Sequence, residues 1–536
     1  MIRRQTVIGL ALVCVLAVPV LGAFGAEIPK RGGILTFVVA GEPPSFDGHR
    51  ERTFAMIHPI APFYSVLIRV NPDNPSSTTD FVCDLCITVP KPTDGGGKYT
   101  FKIRRHVKFH DGSPLTAHDV VASYDKIISP PKGVISSRKA FFSMVKKVYA
   151  PDEYTVVFEL KYPSGAFIPA LATPFNFIYS KKILDDDMHW YEKNIMGSGP
   201  FKFKQQKPGA FIEGVRNPDY HHKGKPYLDG FRAIFASQQS QRVKAIREGR
   251  AMIEFRGFPP EIRDTLKRNF GDQITVQESD WNCALLVVPN HKAKPFDDPR
   301  VRRALTLAID RWGGSRYLSR IAIIKTVGGI VFPGHRLAAT KEELEKIAGY
   351  WPDVDKSRAE ARRLLTEAGY PDGVAFTLHN RAVDQPYKVL GAWLIGQWKK
   401  VGFKVKHRVQ PTEAYFASLH RKKDFQVSID FNCQAVVNPL LDIAKFISDD
   451  RTGNNNANYR DRGMDKLFDQ INRSGDAEEQ RRIMREFEKR ALDEQAHQFL
   501  TLWFYRIIPH RSYVKGWKIS PSHYINQDLG NVWLAQ

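Results

Sequence analysis

The chain has 536 residues, of which 43% are hydrophobic and 12% aromatic, enough apolar material for large cores and too much for a disordered polymer. That length exceeds one ordinary hydrophobic core, so two or three packed units are expected. The formal charge of +22 invites a nucleic-acid reading, but basic residues alternate with acids along the chain, as from Glu478 to Glu494, and no sustained basic tract or nucleic-acid motif occurs. The excess reads instead as a solvated basic surface, one that helps attract an anionic ligand or an acidic partner at a membrane.

The chain opens on Met1-Ile2-Arg3-Arg4, followed by an uncharged stretch from Val7 to Ala26 that contains Pro19 and Gly22 and ends near the small residues Ala23-Phe24-Gly25. Residues 1–25 are therefore expected to be a cleaved signal peptide, which sends the mature chain to the periplasm. An uncleaved anchor is the alternative, because about 20 apolar residues can span a bilayer. Pro19 and the glycines beside the small-residue site favour cleavage. Cys14 lies inside the apolar stretch without a lipoprotein-like setting, and no later segment is long and apolar enough to cross a membrane.

From Gly33 the run Ile34-Leu35-Thr36-Phe37-Val38-Val39 reads as a buried strand that breaks at Gly41-Glu42-Pro43-Pro44, a rigid loop suited either to presenting backbone groups or to plain connection. Cys83-Asp84-Leu85-Cys86 is a C-x-x-C pair; the distant Cys283 and Cys433 supply no second pair at zinc spacing. A local disulfide between Cys83 and Cys86, or two thiols, is favoured over metal or redox chemistry, and the oxidising compartment permits the bond. After the turn at Gly95-Gly96-Gly97, Tyr99 to Arg104 alternates as a half-buried strand, Val107 to His110 continues the pattern, and Thr116 with Asp119 caps a helix from Ala117. Tyr154 to Leu160 is a further strand, making this region an α+β unit of its own.

Further on, strands are expected at Cys283–Val288, Val374–Leu378, Phe403–Lys406 and Phe425–Ile429. They alternate with helices at Pro299–Ile309, Lys356–Ala368, Trp393–Val401 and Ala477–Glu494. Such alternation predicts an α/β lobe around a mixed or parallel sheet.

The block from Tyr99 to Arg104 with Val107-Lys108-Phe109-His110-Asp111-Gly112-Ser113-Pro114-Leu115-Thr116-Ala117-His118-Asp119-Val120 closely resembles the signature of the family 5 extracellular solute-binding proteins, the dipeptide, oligopeptide and nickel-binding group. Further blocks follow in the family's order: Gly197-Ser198-Gly199-Pro200-Phe201, Arg216-Asn217-Pro218-Asp219-Tyr220, the run from Pro295 to Leu305 ending in Ala308-Ile309-Asp310-Arg311, and Ala368-Gly369-Tyr370-Pro371-Asp372-Gly373. The resemblance implies a two-lobed α/β clamshell with an extra α+β subdomain on the first lobe. Lobe one would comprise 26–70, 196–280 and 500–536, the subdomain 71–195, and lobe two 281–499. It further implies a monomer without cofactor that captures a peptide-like or other small polar solute and delivers it to the permease and ATPase subunits of an ABC importer, with no enzymatic role and no nucleic acid. Ligand binding to both lobes would favour the closed state.

Peptide-binding members of the family hold the ligand's amine with an aspartate a few residues before a proline. The matching position before Pro439 is Ala435, which puts ordinary peptides in doubt unless Asp430 or Asp442 substitutes. The residues expected to line the cleft are Pro44, Ser45 and Phe46, Trp281 and Asn282, and Asn432, Gln434 and Asn438, an aromatic wall with amide groups suited to a polar or mildly anionic solute. Enzyme or metal readings would lean on His106, His110, His118 or the pair His221-His222. His110 belongs to the strand-turn signature, and adjacent side chains on a regular strand or helix do not share a face. Binding of nickel or a metal chelate, and chaperone-like peptide binding, are the alternatives on the same fold.

Overall fold

The computed structural model describes residues 27–474 and 476–536, so the segment read as a signal peptide lies outside the described residues. In chain order the strands are β1 (Ile34–Val39), β2 (Ile68–Val70), β3 (Phe81–Cys83), β4 (Lys98–Lys102), β5 (Val145–Asp152), β6 (Thr155–Leu160), β7 (Phe201–Lys207), β8 (Phe211–Arg216) and β9 (Gly230–Phe235). They continue with β10 (Ile274–Pro289), β11 (Ile324–Thr326), β12 (Ala375–Arg381), β13 (Lys404–Gln410), β14 (Val427–Cys433) and β15 (Phe499–Arg511).

Lobe one is built on a sheet of order β1-β9-β8-β7, in which β1 and β9 are parallel and the others antiparallel. The Gly197-Ser198-Gly199-Pro200 block lies against this lobe: a Cβ at Gly197 or Gly199 would collide with the backbone of Phe63, so only glycine permits the approach. The α+β unit is a separate three-stranded antiparallel sheet, β4-β6-β5, covered by the helix Ala117–Ile128. The expected capping pair holds: Asp119 Oδ2 accepts the Thr116 N–H at 2.8 Å. Val107–His110, expected as strand, contributes only an isolated bridge between Lys108 and Pro114. His110 instead joins the subdomain to the glycine block, its Nε2 lying 3.1 Å from the Gly199 carbonyl.

Lobe two carries a six-stranded mixed sheet of order β11-β15-β10-β14-β12-β13. Central β12 and β14 are buried nearly throughout, which is why their sequences read as short apolar runs with little alternation. The helix Ala477–Lys489 packs Ile483, Met484 and Phe487 inward, as its spacing predicts.

Two strands belong to both lobes. Ile274–Asp280 of β10 pairs with Tyr505–Arg511 of β15 beside lobe one, where Arg511 N–H donates to Met252 O at 2.9 Å and Phe258 N–H to Ile507 O at 3.0 Å. The C-terminal half of β10 pairs with β14, while Trp503 and Phe504 of β15 pair with β11 inside lobe two. The boundaries expected at 280/281 and 499/500 therefore both fall inside continuous strands, and Leu500–Phe504 lies in the lobe-two sheet. Register shifts in the β10–β15 ladder occur between Asp280 and Ala284 and between Ala284 and Leu286, where the ladder passes from one lobe to the other.

Two disulfides are present among the described residues. Cys83–Cys86 closes the C-x-x-C turn, and Cys283–Cys433 links directly opposed positions of β10 and β14, a pairing across 150 positions that spacing alone could not suggest. No helix among the described residues is long and apolar enough to cross a membrane.

Candidate ligand-binding site

The lobes meet over two adjoining chambers that share Ser137. The inner one is lined by the segment Phe431–Ala435 at the end of β14, by Arg52 from lobe one, by Arg138 and Phe175 from the subdomain, and by Lys445, Asn454 and Tyr524. It leaves about 30 Å³ open to the centre of a water molecule, against about 200 Å³ in the outer chamber, which Pro44, Glu51, Ile135, Phe416 and His420 help to line.

The inner chamber has a cationic excess. Asp430 is buried beneath it, and its Oδ2 accepts from Lys445 Nζ at 2.6 Å, Asn456 Nδ2 at 2.7 Å and Arg52 at 3.4 Å, while Oδ1 has no protein donor. Burial alone would raise the Asp430 carboxyl, but Lys445 and Arg52 outweigh it and hold the group far below the ordinary carboxylate range. Burial, with the like charge of Arg52 beside it, brings the Lys445 ammonium down to about 7. Arg138 is fixed by the carbonyls of Gly48 at 2.8 Å and Glu51 at 2.7 Å, with its guanidinium over the Phe175 ring at 4.0 Å. Three basic side chains thus line the chamber, no carboxylate lines it among the described residues, and Asp430 beneath it is paired with two of them.

The lobes are joined directly across this site. Arg52 Nη1 donates to Asn454 Oδ1 at 3.2 Å, Asn454 Nδ2 donates to Ser137 O at 2.5 Å, and Arg381 at the end of β12 donates to Thr53 Oγ1 at 3.2 Å. Two guanidinium groups pack on Phe54, Arg381 at 4.6 Å and Arg256 at 4.7 Å from its ring centroid. These bonds make the arrangement a closed one.

Of the residues expected at the cleft, Asn432 and Gln434 line the inner chamber and Pro44 the outer. Gln434 Nε2 donates to Asn432 Oδ1 at 3.2 Å and to Leu441 O at 3.1 Å, so the two amides form one small network. The other five are placed elsewhere. Ser45 is buried and donates to Glu51 Oε1 at 2.9 Å, and Phe46 packs on the main core while its N–H meets Glu192 O. Trp281 is fully buried at the crossing, donating to His523 Nδ1 at 2.7 Å with Phe504 edge-on at 4.8 Å, because a tryptophan between two lobes fills the hinge as readily as a pocket. Asn282 supports the site from behind, accepting the Gln434 N–H at its carbonyl and donating to Val436 O at 3.2 Å. Asn438 caps the helix Pro439–Ile443 by accepting the Leu440 N–H at 3.0 Å, and it faces a surface groove with Tyr99 and Tyr162.

Ala435 does line the inner chamber. The two acids considered as substitutes do not supply a free carboxylate there: Asp430 is occupied, and Asp442 is buried away from the chamber, its carboxyl pushed well up by burial. Arg52, Arg138 and Lys445 were not legible as site residues, since isolated basic residues in loops and short helices carry no local pattern.

A family model described as bacterial extracellular solute-binding proteins, family 5 middle, matches residues 82–450. The chain belongs to that family. Family members are solute-binding components of ABC importers, and the two-lobed fold is theirs. The oligopeptide-binding protein AppA of Bacillus subtilis is 28% identical over 405 residues, covering 71% of this chain and 70% of that one. The glutathione-binding protein GsiB of Salmonella choleraesuis is 31% identical over 305 residues, which span 55% of either chain. Among solved structures, the binding protein AgaA of A. tumefaciens R10, in complex with agropinic acid, superposes with a TM-score of 0.81 at 23% identity, covering 94% of this chain and 99% of that one.

Proposed function

We propose that this solute-binding protein captures a small solute bearing a carboxylate or another anionic group, and that Arg52, Arg138 and Lys445 receive that group in the inner chamber. The carrying observation is the charge inventory: the buried Arg138 and Lys445 and the half-buried Arg52 line a chamber whose lining holds no carboxylate, and Asp430 beneath it is already paired with Lys445 and Arg52. A buried ammonium without a partner costs roughly 3–5 kcal/mol, which disfavours seating a peptide amine beside Ala435. Size supports the same reading, because an engineered void of about 150 Å³ takes up benzene, and the outer chamber is of that order at about 200 Å³. The relatives that bind glutathione and agropinic acid are consistent with an acidic ligand of this scale.

In this reading the mature chain works in the periplasm as a monomer. Its lobes divide at the register shifts of β10 and β15, the subdomain spans about 71–195, and the closed form is presented to the permease and ATPase subunits. Among the described residues the one group of three potential metal-ligating side chains, Asp84, His221 and His222, lies outside the cleft. Native mass spectrometry of protein isolated from the periplasm, then denaturation and identification of the released molecule, tests the proposal. An acidic small molecule is expected, and a peptide whose amine sits in the inner chamber would overturn it.

A further inference from the structure

Outside the cleft, the turn that follows β8 brings two adjacent histidines to one carboxylate. On a regular strand or helix neighbouring side chains diverge, but His221 and His222 lie in irregular chain between β8 and β9, and both rings turn toward Asp84. His221 Nε2 is 3.0 Å and His222 Nε2 2.8 Å from the same Oδ1 atom, and the three potential ligand atoms all lie within 4.8 Å of one another.

We propose that Asp84, His221 and His222 form a site for a divalent transition metal of the zinc or nickel class. Two imidazole nitrogens and one carboxylate oxygen are a three-ligand set suited to such ions, with the remaining positions open to water, whereas magnesium and calcium prefer oxygen ligands alone. The geometry is held from behind, as ligands of metal sites are. Asp84 Oδ2 accepts the Val66 N–H at 2.9 Å, which leaves Oδ1 turned toward the histidines. Arg104 Nε binds the Asp84 carbonyl at 2.8 Å, and the Cys83–Cys86 disulfide closes the turn that carries Asp84. Tyr220 packs on both imidazoles, with ring centroids 4.6 Å and 5.3 Å away.

The competing account is a plain hydrogen-bonded cluster in which both imidazoles donate to Asp84. Nearby positive charge weighs against a cation, but Arg69, whose charge acts on the Asp84 carboxylate, is paired with Asp528. A bound ion would clip the C-x-x-C turn to the β8–β9 turn, a structural role independent of what the cleft binds.

The test uses mature protein without a histidine tag, stripped with a chelator and titrated with zinc in competition with a chromogenic chelator, and separately with cobalt to read its visible absorption. The expected result is one equivalent bound more tightly than about 10 µM, with cobalt bands of a four- or five-coordinate ion and a rise in melting temperature on adding zinc. His222→Gln should weaken binding at least about tenfold, while His189→Gln, at an exposed histidine elsewhere, should not. His222 is partly exposed, so its variant should fold even if Asp84→Asn, which also loses the Val66 contact, does not. No zinc binding by the wild-type protein, or binding unchanged in His222→Gln, would overturn the proposal.

Discussion

Arg52 of lobe one and Asp430 of lobe two meet across the cleft at 3.4 Å, and Lys445 shares the same carboxylate oxygen at 2.6 Å. Closure therefore places a second cation on a carboxylate that already has one. Removing the acid leaves the buried Lys445 and the half-buried Arg52 without a counter-charge, so Asp430→Asn should lose roughly 3–5 kcal/mol in ligand-free stability, read by denaturant unfolding. An anionic ligand should restore part of that loss. An equal deficit with and without ligand would show that the ligand does not approach these cations.

Lys445 makes anion binding depend on pH. Burial and the adjacent Arg52 bring the Lys445 ammonium down to about 7 in the closed arrangement, and an anion beside it would raise that value, so binding takes up a proton. Affinity should fall as pH rises above 7, by at most about tenfold per pH unit. Calorimetry at pH 6 and pH 8.5 checks the direction, and an affinity that does not change would place the anionic group away from Lys445.

Burial raises the Glu51 carboxyl from 4.5 to about 7. Between those values the folded state keeps a proton that the unfolded chain has lost, so this group's contribution to stability declines as pH climbs from 4.5 to 7. The full decline is about 3 kcal/mol. Glu51→Gln should flatten the stability profile over that window and leave the variant more stable than wild type at pH 8, as measured by urea unfolding at a series of pH values.

The two amides near Pro439 separate binding from support. Gln434→Ala should weaken ligand binding about three- to tenfold through lost hydrogen bonding. Asn438→Ala, which removes a helix cap, should cost about 1 kcal/mol of stability with affinity unchanged. Paired titration and unfolding of both variants distinguishes the roles, and an affinity loss in Asn438→Ala would return that residue to the cleft.

Cys283–Cys433 closes a loop spanning 150 positions. The chain-entropy argument gives such a cross-link about 5 kcal/mol of stabilisation. The double variant Cys283→Ser with Cys433→Ser should unfold at markedly lower denaturant concentration, while loss of the short Cys83–Cys86 link should cost less.

Local signals carried much of the architecture into the sequence. The Thr116–Asp119 cap, the short apolar runs of β12 and β14, and the glycines at 197 and 199 each answer to a nearby physical demand: a helix terminus, a buried sheet, a backbone approach. The site answers to distant ones. Arg138 is positioned by carbonyls nearly ninety positions earlier, and Arg52 finds Asp430 only when two lobes close. Trp281 misled for a related reason, since burial in a hinge and burial in a pocket select the same ring. His221 and His222 converge because they sit in irregular chain, where the divergence of neighbouring side chains on a strand or helix does not apply.

β10 and β15 run unbroken through both lobes, with their register irregularities gathered between Asp280 and Leu286. Mechanically, that is a hinge pin made of two rods with one soft spot. Swinging about it is cheap, because only a few residues must bend, whereas sliding one lobe past the other would tear hydrogen bonds along the ladder on both sides. The rim of the cleft consequently follows a single arc, and a small angle at the pin becomes a large displacement at its far edge. On the proposed reading, a solute that keeps Arg52 off Asp430 would hold the rim short of this end-stop, so the fit of one small molecule would be converted into the position of a distant edge.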